Sequence, residues 1–115
     1  VYDNIKYTKK GWINRNRLLQ NGRAVTFSLP LKADSDTLDV RERRLAEGFD
    51  REKLLNQIRG AYGRAPHLSD TMPLVEKVVR CGETNLFGYL HHSLQRTCAH
   101  LGIGTRIKVS SDVAA

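Results

Sequence analysis

Four polar residues stand in succession where the chain otherwise looks like a β-strand. The stretch is Asn14, Arg15, Asn16 and Arg17. Arginine offers a planar fork of donors that suits carboxylate and phosphate groups, and asparagine both donates and accepts hydrogen bonds. Because neither face of such a strand is apolar, we interpret the four residues as candidates for binding a polar, anionic molecule.

An Asn21-Gly22 pair predicts how the two faces of this strand are arranged. Both residues tolerate the positive φ of a type I′ turn, so we predict a β-hairpin. Counting outward from the turn gives four cross-strand pairs on one face: Leu18 with Val25, Asn16 with Phe27, Asn14 with Leu29, and Trp12 with Leu31. On the other face, Arg17 lies opposite Thr26 and Arg15 opposite Ser28.

The two faces predict different roles for the four polar residues. The asparagines share the apolar face, where a polar group must be hydrogen-bonded to protein, water or ligand. They either brace the sheet or contact a ligand. The arginine face is the better candidate for an anion, although a register slip of one residue would exchange the faces.

Positive charge is concentrated at the beginning of the chain. The formal net charge of the 115 residues is +7, and residues 1–23 contribute +5 of it, with six basic residues against one acidic. Such a patch attracts phosphate in nucleic acid, nucleotides or membrane headgroups, and it is equally compatible with a solvated edge that binds nothing.

Other reactive residues have little supporting context. The cysteines and histidines lack the spacing of a metal site, so we predict no metal and no cofactor. No Gly-x-Ser-x-Gly motif or glycine-rich phosphate loop is present. His67, in a proline-containing loop beside Tyr62 and Arg64, is a candidate general base, because the pKa of histidine lies near working pH. An exposed loop histidine without a role is the alternative.

The elements that would position these residues form one small α/β or α+β domain. We predict a basic hairpin over 1–32, a polar loop with an exposed turn or short helix over 33–49, a helical part over 50–102 and a strand over 105–111. Apolar stripes predict helices over 51–60, 73–80 and 86–101. Their predicted N-caps are Asp50, then Asp70 or Thr71, then Asn85 or Thr84.

Bulk features suggest a cytoplasmic portion of a longer protein. No apolar run is long enough to span a membrane, and two cysteines are too few for a disulfide framework. The chain begins at Val1, in a segment that looks like the tail of a strand. We therefore expect an internal portion of a longer protein, of undetermined oligomeric state.

Five segments together resemble one known family. They are VYDNIKYTKKGWINRNRLL, FSLPLK, AYGRAPHL, NLFGYLHHSL and LGIGTRIKVSS. These segments are similar to the WbqC-like family of bacterial surface-glycan and O-antigen biosynthesis proteins. The resemblance covers most of the chain, and WINRNRL and LPL are its more specific segments. Family members are longer at both ends, and Lys6 stands where they usually have glutamine.

The resemblance implies a transferase that modifies a glycan or a nucleotide-activated sugar, by acyl or aminoacyl transfer. Arg15 and Arg17 would bind a phosphate or carboxylate of the substrate, and the two asparagines would orient the sugar or brace the site. Asp3 would take a proton or bind a sugar hydroxyl, so Asp3 and His67 are the catalytic candidates. The substrate-binding candidates are Tyr7, Trp12, Asn14, Arg15, Asn16, Arg17, Tyr62, Ser110 and Ser111.

Two alternatives to a transferase remain. Trp12, Tyr7 and Tyr2 lie among lysines and could stack on the bases of single-stranded nucleic acid. This function is less favoured, because aromatic residues make up only 7% of the chain. The second alternative is a non-catalytic scaffold in polysaccharide assembly.

Overall fold

An antiparallel hairpin and three helices form the fold of the computed structural model, which describes residues 1–35 and 37–113. The strands are β1 (Arg15–Gln20) and β2 (Arg23–Ser28), and the helices are α1 (Arg51–Tyr62), α2 (Leu68–Val79) and α3 (Leu86–His100). Short 3-10 turns span Val40–Glu42 and Ser110–Asp112. The predicted mixed α/β class is confirmed. Asp36 of the predicted polar loop, like residues 114 and 115, lies outside the described residues.

The hairpin has the predicted turn and register. Asn21 and Gly22 have φ values of 52° and 76°, as a type I′ turn requires. The observed pairs include Leu18 with Val25, Asn16 with Phe27, Arg17 with Thr26 and Arg15 with Ser28. The predicted pairing of Trp12 with Leu31 is wrong. Leu31 instead forms a bridge with Leu45, because the chain after β2 turns to pair with residues 44–46.

Two helices begin where their caps predict. The side chain of Asp50 accepts a hydrogen bond from the backbone N–H of Lys53 at the start of α1, over 3.0 Å. Asn85 accepts one from Gly88 at the start of α3, over 2.9 Å. These caps satisfy backbone donors that the first turn of a helix leaves free.

The predicted start of α2 is wrong. The helix begins at Leu68, five residues before the predicted start, and His67 rather than Asp70 or Thr71 occupies the N-cap position. Pro73 suggested the first turn but lies inside the helix. The five additional residues at the start of the helix include Met72, which is buried in the core. This packing outweighs the local preference of proline for the first turn of a helix.

The strand predicted over 105–111 is also not formed, since the described residues contain no strand after α3. The N-terminal ammonium donates to the carbonyl of Lys108 over 2.7 Å, and the N–H of Ser110 donates to the carbonyl of Val1 over 2.8 Å. The segment therefore runs beside the first residue. It then turns into the 3-10 turn at Ser110–Asp112, so no strand ladder develops.

Residues 38–49 contribute to the core, whereas the sequence predicted a connecting loop with an exposed turn or helix. Val40 and Leu45 are buried in the cluster that includes the fully buried Leu55 and Leu86. The carbonyl of Arg43 accepts a hydrogen bond from the N–H of Leu86 over 2.9 Å, which attaches the segment to the start of α3. Among the described residues, none of the helices has the length and apolar character that a membrane span needs.

Candidate functional site

A largely apolar cavity of about 390 Å³ lies between the inner face of the hairpin and the three helices. The hairpin segment contributes Asn14, Asn16 and Phe27 to its lining, and α3 contributes Ser93 and Thr97. An apolar pocket with a few converging polar groups is the usual form of a small-molecule site. Both asparagines therefore lie among apolar residues at this cavity, as the register predicted.

Tyr89 also lines the cavity but is held in place by the fold. Its hydroxyl donates to the carbonyl of Val79 over 2.8 Å. Burial raises the pKa of this phenol to about 12. Tyr89 therefore stays neutral near physiological pH and acts as part of the wall.

The outer face of the hairpin carries a group that we call the basic face, formed by Trp12, Arg15 and Arg17. Trp12 is 53% exposed, and the guanidinium carbons of both arginines lie 4.7 Å from its ring centroid. Stacking of this kind is a favourable cation–π contact. Trp12 and Arg15 also line the apolar cavity, so the basic face adjoins the cavity.

The two arginines of the basic face differ in how firmly they are held. Nε and Nη2 of Arg15 donate to the carbonyls of Gly11 and Lys10, over 3.1 and 3.3 Å. The side chain of Arg17 is exposed and makes no hydrogen bond within the described residues. Arg17 therefore keeps its donors available for an anion, whereas Arg15 holds the ring and the preceding loop in place.

Asn14 and Asn16 have different environments despite sharing a face. Asn14 is buried, accepts a hydrogen bond from the Tyr7 hydroxyl over 3.0 Å and donates to the carbonyl of Leu29 over 2.8 Å. Asn16 is exposed, and its Oδ1 accepts from the N–H of Arg17 over 2.8 Å. Asn14 thus braces the hairpin against the N-terminal segment, and the amide nitrogen of Asn16 remains available to a ligand.

Asp3, Ser110 and Ser111 meet although more than 100 positions separate them. Oδ1 of the buried Asp3 accepts from Ser110 Oγ over 2.8 Å and from the N–H of Ser111 over 3.1 Å, and Oδ2 accepts from Ser111 Oγ. The bond from Ser111 Oγ, together with the others, lowers the pKa of the Asp3 carboxyl, although burial opposes this. Asp3 is therefore ionised at neutral pH, and its oxygens are already engaged.

The remaining predicted site residues lie elsewhere. The hydroxyl of Tyr62 accepts a hydrogen bond from the N–H of Leu19 over 3.0 Å and so ties α1 to β1. His67 is exposed at the start of α2, and its side chain makes no hydrogen bond within the described residues. No contact there joins His67 to Asp3, so the two catalytic candidates do not form a pair.

Arg43 is a buried residue that the sequence analysis did not single out. Arg43 is only 5% exposed. Its guanidinium carbon lies 4.6 Å from the centroid of the Tyr7 ring, and Nη2 makes a long contact of 3.4 Å with the carbonyl of Lys32. The sequence did contain a pattern that could have indicated this burial. Arg43 and Leu45 alternate in an extended segment, which predicts that they share a face.

The described residues include no group of three or more His, Cys, Asp or Glu side chains that could hold a metal ion. The polar groups at the apolar cavity and the basic face are guanidinium, amide, hydroxyl and aromatic groups.

Fold and site together define a small mixed α/β domain with a basic hairpin over an apolar cavity. The WbqC-like protein family matches residues 1–115, and the chain belongs to this family. The uncharacterized protein Rv1507c of Mycobacterium tuberculosis (strain ATCC 25618 / H37Rv) is 26% identical over 114 residues. The match covers 97% of this chain and 49% of that relative, so the chain spans about half of its length. No solved structure matches the chain significantly.

Proposed function

We propose that this chain belongs to a transferase that binds a glycan or a nucleotide-activated sugar through a phosphate or carboxylate group. Membership of the WbqC-like family indicates a role related to biosynthesis. One observation carries the finer proposal: an exposed Trp12, stacked with Arg15 and Arg17, adjoins a largely apolar cavity.

Each part of this arrangement suits one part of such a substrate. Arg17 pairs with the phosphate or carboxylate, since a guanidinium binds these groups through two parallel hydrogen bonds. The exposed part of the Trp12 ring contacts the sugar, and the free amide nitrogen of Asn16 donates to one of its oxygens. The cavity takes an apolar part of the donor, such as an acyl group, which supports acyl transfer as the reaction.

His67 remains the proposed general base on the chemistry of its side chain alone, since it belongs neither to the lining of the apolar cavity nor to the basic face. Its imidazole is exposed and engaged by no hydrogen bond within the described residues, so it is available to take a proton from an acceptor hydroxyl or amine. Asp3 is less suited to this step, because a carboxylate with a lowered pKa is a weak base. Asp3 would instead hold the N-terminal segment against the turn at Ser110 and Ser111, which donate hydrogen bonds to its carboxylate.

A nucleic-acid-binding module is the second candidate function, and the exposure of two aromatic residues supports it. Tyr2 is 74% exposed and Trp12 53% exposed, both in the basic first part of the chain. Exposed aromatic rings among basic residues bind single strands by stacking and charge, with strong salt dependence.

The proposed transferase is tested by thermal denaturation of the full-length protein with sugar nucleotides, acyl donors and a single-stranded oligonucleotide, each at low and high salt. A ligand that binds only the folded state raises Tm. We expect a sugar nucleotide to stabilise the wild type and Arg23→Gln at both salt concentrations, but not Arg17→Gln. Arg23 is a matched control, because it is an exposed arginine of the same hairpin, paired with Gln20 beside the turn.

A cavity-filling variant tests whether the apolar cavity holds the acyl group of the donor. Val75 lines the cavity, so Val75→Phe should block stabilisation by an acyl donor while leaving the effect of a plain sugar nucleotide. Equal sugar-nucleotide binding by Arg17→Gln and wild type would refute the role of the basic face. Stabilisation by the oligonucleotide alone, lost in high salt, would establish the nucleic-acid function instead.

A further inference from the structure

A second cavity, of about 420 Å³, lies against the buried Arg43. Tyr7, Asn14 and Ser28 contribute polar groups to its lining, and Leu29 and Pro30 contribute apolar ones. Asn14 and Leu29 also line the first cavity, so the two spaces adjoin at these residues. Arg17 and Trp12 are not part of this second lining.

Arg43 is a buried cation without a countercharge in the described chain. No carboxylate of the described residues forms an ion pair with it, and Nε and Nη1 are buried without a hydrogen-bond partner. Arginine is almost never fully buried unless it is paired. The Tyr7 ring compensates part of the charge through its face, but a ring supplies no acceptor for the N–H groups.

We propose that this cavity binds a small molecule through a carboxylate that pairs with Arg43. Arg43 brings one buried positive charge to the lining, and Asp34 brings an exposed negative charge at its edge. A single positive charge beside apolar residues suits a monoanion. A phosphate dianion would bring an unbalanced charge next to Asp34.

The polar groups of the lining can hold the rest of such a molecule. The Tyr7 hydroxyl donates to Asn14, so its oxygen can still accept, and the Ser28 hydroxyl is exposed. Nε and Nη1 of Arg43 are covered in this structure. Binding a carboxylate at these two nitrogens therefore requires the guanidinium to rotate away from its long contact with the Lys32 carbonyl. The site does not depend on the proposed transferase activity, because it uses neither Arg17 nor the apolar cavity.

The test compares acetate, propionate and inorganic phosphate with chloride at equal ionic strength, using Tm and calorimetric titration of the full-length protein. We expect the carboxylates to raise Tm of the wild type more than phosphate does. Arg43→Met should lose this response, with affinity reduced by at least about ten-fold. Arg44→Met is the matched control, since Arg44 is the neighbouring arginine and is exposed.

A surface variant keeps the proposal testable if Arg43→Met fails to fold, which circular dichroism would reveal. Asp34 is exposed, and Asp34→Asn removes the negative charge from the lining while keeping an acceptor for the N–H of Ser35. We expect this variant to bind acetate several-fold more tightly than the wild type. Unchanged acetate affinity in Arg43→Met or in Asp34→Asn, or wild-type stabilisation by phosphate equal to that by acetate, would overturn the proposal.

Discussion

The hydroxyl of Tyr7 donates a hydrogen bond of 3.0 Å to Oδ1 of Asn14, and Asn14 in turn donates 2.8 Å to the carbonyl of Leu29. These two bonds join the N-terminal segment to the residue before β1 and to the residue after β2. Asn14 therefore occupies an apolar face without being an unsatisfied polar group, since both ends of its amide are paired. Asn14 also lines both candidate ligand cavities.

Replacing Asn14 with leucine should lower the free energy of unfolding by about 1–3 kcal/mol, because the Tyr7 hydroxyl and the Leu29 carbonyl lose their partner. Tyr7→Phe should cost about 1 kcal/mol, since it removes one of the two bonds. Urea unfolding monitored by circular dichroism measures both effects. Asn16→Ala is the control. Its side chain is exposed, so its effect should stay within about 0.5 kcal/mol.

A double-mutant cycle separates the hydrogen bond from general packing effects. If Tyr7 and Asn14 act through their shared bond, Tyr7→Phe should cost less in the Asn14→Leu background than in the wild type. Strictly additive effects would show that the two residues contribute independently.

Asp3→Asn should destabilise the protein in a pH-dependent manner. The pKa of Asp3 is lowered from 3.8 in the folded state, so its ionised form is stabilised by folding. That stabilisation is present above the unfolded-state pKa and is lost as the pH falls through the folded-state pKa. The difference in unfolding free energy between wild type and Asp3→Asn should therefore be largest near neutral pH and shrink below about pH 4.

Urea unfolding at several pH values measures this difference. Asp112→Asn is the matched control, because Asp112 lies exposed in the same 3-10 turn that holds Ser110 and Ser111. Its effect on the unfolding free energy at neutral pH should stay within about 0.5 kcal/mol, because the side chain is exposed. A difference for Asp3→Asn that stays constant between pH 7 and pH 3 would contradict the role of the ionised carboxylate.

Leu86→Ala should lower the free energy of unfolding by about 2–5 kcal/mol, since the side chain is fully buried and its removal leaves a cavity. Leu94 lies on the same helix but is 44% exposed, and Leu94→Ala should cost about 1 kcal/mol or less. The midpoint of urea unfolding at constant slope reports both values. Similar losses for the two variants would mean that α3 does not present Leu86 to the core.

Local signals predicted the hairpin well and the ends of α2 and of the chain poorly. The turn at Asn21-Gly22 and the alternation after it involve neighbouring residues, so their pattern determines the register. Pro73 predicted a helix start near residue 73, but α2 extends further toward its N-terminus, where Met72 is buried in the core. The sequence predicted a strand over 105–111, but Lys108 and Ser110 form hydrogen bonds with Val1 and the chain then enters the 3-10 turn, so no ladder forms within the described residues.

The hairpin, the placement of Asn14 and Asn16 on its apolar face and the resemblance to the WbqC-like family could all be predicted from the residues alone. The contacts of Asp3 with Ser110 and Ser111, across 107 and 108 positions, and the burial of Arg43 beside Tyr7 became visible in the folded chain. A hairpin register follows from a two-residue turn, because the partners are close along the chain. Contacts between distant segments depend instead on how all the elements pack around one core, and no local pattern specifies that arrangement.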